Sequence, residues 1–254
     1  MFDIFVKRKK IIIEFFTIDP HSFWCAKPIK ATKVLPKWFV DTPKKYLVEG
    51  QEQSTIKRCP GLIDLYSRSI AMPAWFDAEF TLEPDGGLQV KGGRGSAEIT
   101  AHDKRQYEYF VKGSPSRNFK IGSPWAVRST PDIKILVHEP TWHSYETHDV
   151  ITLMPGVIDT KYNFATHMNY ITRPALETKT IFLEPGDPLA FLTPMTENDF
   201  AIQSHHVTES EAAKLGIIGN TWGLSEGAGA AARSGNRYHK RITDKLKRIY
   251  GEEI

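Results

Sequence analysis

The chain has only two cysteines, Cys25 and Cys59, too few for a disulfide framework or a four-thiolate zinc site, so reduced, buried thiols are expected. Long apolar runs are missing as well, and no stretch approaches the ~18 residues of a membrane span. A basic run, Lys7 to Lys10, precedes the apolar Ile11 to Ile13, but Glu14 interrupts it and no small-residue cleavage site follows. That argues against a secretory signal and predicts an intracellular protein with no membrane partner. Nucleophile motifs are absent too: there is no Gly-x-Ser-x-Gly, and neither cysteine sits in a Cys-x-x-Cys or helix-opening setting. Gly92-Gly93-Arg94-Gly95 has the glycine content of a phosphate loop without the Lys-Ser/Thr that should follow, and reads as a hairpin loop.

What is present is an ordinary globular composition. At 254 residues, 41% hydrophobic and 25% charged, the chain is long enough for a large core and excludes disorder, collagen and coiled coil. The net charge of +3 is unevenly placed. Arg237, Lys240, Arg241, Lys245, Lys247 and Arg248 stand against Asp244 alone, a surplus of five that leaves −2 for the rest of the chain. The body is therefore no nucleic-acid platform, and only the tail offers a contact to phosphate or to an acidic partner.

Short apolar or alternating segments bounded by Gly, Pro, Asn and Asp predict a mainly β, antiparallel domain, β-clip or sandwich-like, over residues 1–207. The clearest strands are Ile11 to Ile18, Ser96 to Ala101, Trp125 to Ser129, Ile133 to His138, Val150 to Leu153, Phe164 to Ile171, Thr178 to Leu183 and Leu189 to Leu192. Asp77 to Leu82 and Leu88 to Lys91 flank Glu83-Pro84-Asp85-Gly86-Gly87, where Asp-Gly supplies the positive φ of a hairpin turn. Asp19 to Val48, with four prolines, predicts an extended surface strap with at most one helical turn. Residues 208–254 read as a short helix opened by Thr208 and closed by Gly216, a Gly-rich arm from Gly223 to Gly235, and a terminal basic helix. Tyr238, Ile242, Leu246 and Ile249 form that helix's apolar stripe, which needs its own domain or a second copy to cover it.

His138, Glu139, His143, Glu146, His148 and Asp149 are the densest set of candidate metal ligands, but on a strand they do not share one face. His205-His206 reads as surface or turn.

Two resemblances add to this. Gly156-Val157-Ile158-Asp159 with Tyr162, followed by Gly186-Asp187 and Ala190, resembles the hairpin and the Gly-Asp-x-x-Ala segment of trimeric dUTPases and dCTP deaminases, which share a β-clip architecture. The resemblance implies Asp159 as the water-orienting carboxylate, Tyr162 against the deoxyribose, and Gly223 to Gly235 as a closing arm. This chain departs from the pattern. Phe164 replaces a glycine after the tyrosine, Phe191 replaces a glutamine, and the phosphate motif finds only Ser114-Pro115-Ser116-Arg117. The nucleotide site is thus expected to be eroded.

A second set of segments is similar to an uncharacterised family of tailed-phage proteins, many of them marine, that also occurs in bacteria. It comprises Cys59 to Asp64, Trp75-Phe76-Asp77, Ile121 to Trp125, Thr130-Pro131 and Pro185 to Leu189. It implies a phage gene but no activity. The leading expectation is a phage-encoded structural or interaction protein without catalytic activity and without a cofactor, a homo-oligomer and possible trimer, made in the host cytoplasm and available to the virion. Its other partners would be further phage proteins and, through the basic tail, nucleic acid. The alternative is a diverged nucleotide hydrolase or nucleotide-binding protein using Asp159 and Tyr162, with Mg²⁺ carried by the substrate phosphates.

Overall fold

The structure is a computed structural model that describes residues 10–92, 98–140, 142–143, 150–162, 165–217 and, singly, 244 and 248. Among these residues it is mainly β, with 17 strands in several sheets whose pairings are antiparallel with one exception. Ile11–Thr17, the first strand, lies between Ala126–Thr130 and Phe200–His206, and its pairing with the latter is parallel, from Ile11 opposite Phe200 to Thr17 opposite His206. The first and last strands of the domain thus close on each other. Parallel neighbours need a long crossover, and here the whole domain supplies it.

Four sheets send side chains into one core. Phe15 and Val127, Met72 and Leu192, Phe80 and Ile181, and Phe119 and Tyr170 meet there, each burial contributing about 1.5–3 kcal/mol for the larger apolar groups. The alternation that predicted strands is visible in Ala78–Leu82, where Ala78, Phe80 and Leu82 are buried and Glu79 and Thr81 are half-buried. That strand pairs with Leu88–Gly92 through the expected turn. Gly86 has φ +81 and lies so close to Pro115 that no Cβ fits, and the Asp85 carboxylate accepts the Gly87 N–H at 2.7 Å.

The segment expected to be an extended strap is instead broken into short elements. Helices Pro20–Cys25 and Lys37–Asp41 flank a short strand, Ile29–Lys30, and a 3₁₀ turn, Ala31–Lys33. Asp19 caps the first helix by accepting the N–H groups of His21 and Ser22, and Pro20 occupies its first position. Proline read as a breaker is, at the first turn, a starter. Pro60 likewise occupies the first turn of Pro60–Arg68, a helix not expected from the sequence, which buries Leu62 and Tyr66 against Phe39 and Phe191.

Strands Lys45–Val48 and Gln51–Ser54 form a separate two-stranded hairpin. Its two-residue turn has Glu49 at φ 50 and Gly50 at φ 79, the mirror-image turn that matches strand twist.

Glu209–Leu215 is the expected short helix. Thr208 and Glu211 form a reciprocal capping box, and Gly216 ends the helix at φ 67. Ala212 and Ile217 pack on Phe16 and Ala126, so this helix is docked on the β domain. Asp244 and Arg248 are helical and exposed, while Arg237, Lys240, Arg241, Lys245, Lys247 and the stretch 223–235 lie outside the described residues. No described helix is long and apolar enough to cross a membrane.

Candidate functional site

Strands Lys134–His138 and Pro188–Pro194 are antiparallel neighbours, with His138 opposite Phe191. The residue after the first strand, Glu139, and the residue before the second, Asp187, therefore arrive at the same end of the sheet. Between them lies a cavity of about 180 Å³. Phe80, Ile121, Ile151, Ile181 and Leu189 are among its apolar walls, and Glu139, His143, Tyr170 and Asp187 are its polar groups.

Each polar group is positioned by the chain around it. Glu139 accepts the Leu153 N–H at 3.2 Å. The Asp187 carboxylate accepts the Glu184 N–H at 2.9 Å, and the turn it caps is tied to Ala74 through Gly186 N–H at 2.9 Å and the Ala74 N–H at 2.7 Å. His143 closes a turn on the Pro140 carbonyl and rests its ring against Tyr66 and Phe191. Tyr170 is buried and donates its hydroxyl to the Leu189 carbonyl at 2.8 Å. Burial first, then the negative charge of Glu139, raises the Tyr170 phenol pKa, so it stays protonated.

His138 is not among the residues that line this cavity. Its Nδ1 donates to the Glu139 carbonyl at 3.0 Å, which leaves Nε2 to accept the Thr193 hydroxyl at 2.8 Å. Burial lowers its pKa more than the carbonyl bond raises it, so the ring is held neutral.

The dUTPase-like residues sit elsewhere. Asp159 ends strand Gly156–Asp159, pairs opposite Lys134, and accepts the Lys161 N–H on its carboxylate and the Tyr162 N–H on its carbonyl. Tyr162 is half-buried beneath the Lys161 ammonium, 5.5 Å from the ring centre. Neither residue lines the 180 Å³ cavity or a second, larger cleft of about 600 Å³ between the 78–92 hairpin and strands Glu98–Ala101 and Asn118–Gly122. Arg117 reaches that cleft, but Ser114 and Ser116 spend their hydroxyls on each other at 2.8 Å.

Of the candidate metal ligands, Glu146, His148 and Asp149 lie outside the described residues, as do Arg94 and Phe164. Among the described residues no three His, Cys, Asp or Glu side chains form a group that could hold a metal ion. His205, read as surface or turn, is on a strand, with its ring stacked on Phe16 at 4.9 Å and Nε2 3.2 Å from the Glu14 carboxylate.

The chain matches no protein-family model, no curated protein and no solved structure. Its residues and their geometry therefore carry the functional argument.

A different feature escaped the sequence reading. All eight strand residues of the 45–54 hairpin are exposed, including Tyr46, Leu47 at 71% and Val48. Val40, Trp38 and Ile56, in the segments before and after the hairpin, are exposed as well. The signal was Glu49-Gly50 between a β-rich Tyr-Leu-Val run and a polar one, hidden because Glu rarely takes a left-handed φ.

Proposed function

We propose that this chain is a structural or interaction protein without catalytic activity that assembles with copies of itself. The observation that carries the reading is the 45–54 hairpin. A two-stranded hairpin on its own is marginal in water, and among the described residues this one leaves both edges unpaired and its apolar residues in solvent. Its Lys45–Glu52 ion pair is exposed on both sides and adds at most about 1 kcal/mol. Such an arm gains its stability by laying an edge on another sheet. Among the described residues the chain itself offers open edges of that kind, including Leu88–Gly92 and Lys179–Leu183, the latter with Phe182 exposed at 70%. A second copy is the occupant that supplies both halves of the contact.

A phage origin, and with it synthesis in the host cytoplasm and a place in the virion, rests on the local sequence resemblance alone. The basic tail from Arg237 to Arg248 is a second contact, to phosphate or to an acidic surface. The nucleotide-hydrolase alternative has less behind it, because Asp159 caps its own turn and neither Asp159 nor Tyr162 borders a described cavity. The test is release of phosphate or pyrophosphate from a panel of deoxynucleoside triphosphates with Mg²⁺, on the wild type and Asp159→Asn. The proposal expects no turnover from either protein. Turnover that disappears in Asp159→Asn overturns it.

A further inference from the structure

The 180 Å³ cavity has no part in the assembly reading, and its chemistry points to a small molecule. An enclosed apolar cavity of about 150 Å³ is large enough for a benzene ring, so this one holds a ring or branched aliphatic group with a short substituent. The walls specify the body of the ligand. Phe80, Ile121, Ile151, Ile181 and Leu189 offer no hydrogen bond through their side chains, and they come from five strands of the core sheets. The polar side specifies its head. Glu139 and Asp187 place two carboxylates at one cavity, and the Tyr170 hydroxyl is already committed to the Leu189 carbonyl. No Lys or Arg is among the described lining residues. Beside walls of low polarity a carboxylate attracts a cation more strongly than it does in water, and a bound anion would be repelled.

We infer that this cavity is a binding site for a compact organic cation, an ammonium group on an aromatic or branched aliphatic body, with Glu139 as its counter-charge and Asp187 at the mouth. Small binding sites commonly combine an apolar enclosure with a few converging polar groups, and this cavity has that composition.

Benzylamine is the probe, with benzyl alcohol as its neutral counterpart and benzoate as the anion, titrated calorimetrically into the full chain. Benzylamine is expected to bind at least tenfold more tightly than benzyl alcohol, and benzoate not at all. Glu139→Gln keeps the oxygen that accepts the Leu153 N–H, and is expected to remove the preference for the amine while leaving benzyl alcohol unchanged. Asp187→Asn, which also keeps its turn-capping oxygen, provides a second charge removal and is expected to weaken only the amine. Ile181→Phe fills the cavity and is expected to abolish binding of both benzylamine and benzyl alcohol, with its thermal midpoint reporting that the fold is intact. Absence of binding to the wild type overturns the inference, as does equal affinity for amine and alcohol. Binding that survives Ile181→Phe, or an amine preference untouched by both charge removals, overturns it too.

Discussion

Two buried tyrosines make opposite demands on the core, and replacing each with phenylalanine separates them. Tyr66 is 2% exposed, with its ring against Phe39, Phe191 and His143, yet its hydroxyl has no hydrogen-bond partner among the described residues. Burial pushes that phenol up to about 12. Tyr170 is equally enclosed, but its hydroxyl donates to Leu189 at 2.8 Å, where a register shift between Pro188 and Ala190 interrupts the strand pairing. An unsatisfied buried polar group costs about 1–3 kcal/mol, so Tyr66→Phe removes a penalty and keeps every ring contact. Tyr170→Phe instead removes a made bond and strips the Leu189 carbonyl of that donor, a loss of about 1–3 kcal/mol. The expected result is Tyr66→Phe at or above wild-type stability, by up to about 1 kcal/mol, and Tyr170→Phe clearly below it. Urea unfolding followed by tryptophan fluorescence measures both, read at equal slope so that the midpoints report stability. If Tyr66→Phe falls as far as Tyr170→Phe, the assignment of one hydroxyl as orphaned and the other as bonded is refuted.

The remaining predictions draw on other parts of the molecule. His138 is held neutral, so below its ordinary pKa of 6.5 the unfolded chain takes up a proton that the folded chain resists. Its contribution to stability is complete above that pH and falls as the pH drops through it. His138→Gln, which keeps a donor and an acceptor, should flatten urea midpoints measured between pH 5 and 7. Gly86→Ala sets a methyl carbon 1.8 Å from the Pro115 carbonyl oxygen at φ +81, and should cost about 2 kcal/mol or more in the same unfolding assay. Cys25 is exposed, 3.8 Å from the His21 Nδ1, while Cys59 is half-buried. A thiol reagent under native conditions should therefore show one fast equivalent, absent from Cys25→Ser.

Legibility in the sequence followed the range of the interactions. Ile11–Thr17, Lys134–His138 and the 78–92 hairpin were readable because alternation and an Asp-Gly turn are local signals. Phe200–His206 was not, because a polar run ending in two histidines becomes a strand only when Ile11–Thr17, from the other end of the chain, pairs beside it. Pro20 misled because a proline that opens a helix and one that prevents it look alike without the cap. At the cavity, Glu139 and His143 were visible as candidates and Asp187 through the resemblance. Their meeting was not visible, because strand register and not sequence distance brings positions 139 and 187 to one sheet end. The exposed hairpin was hidden by its own turn, where Glu49 adopts a backbone conformation that few non-glycine residues take.

The central claim is self-assembly through the 45–54 arm, and mass in solution tests it most directly. Light scattering on the full chain, compared with Leu47→Lys and with the pair Tyr46→Lys and Val48→Lys, measures it at micromolar concentration. All three positions are exposed, so the substitutions leave the core untouched. The account predicts a wild type several times heavier than the 28.8 kDa chain and variants shifted toward that single-chain mass. A wild type that stays at the single-chain mass, or variants that assemble as it does, would contradict it.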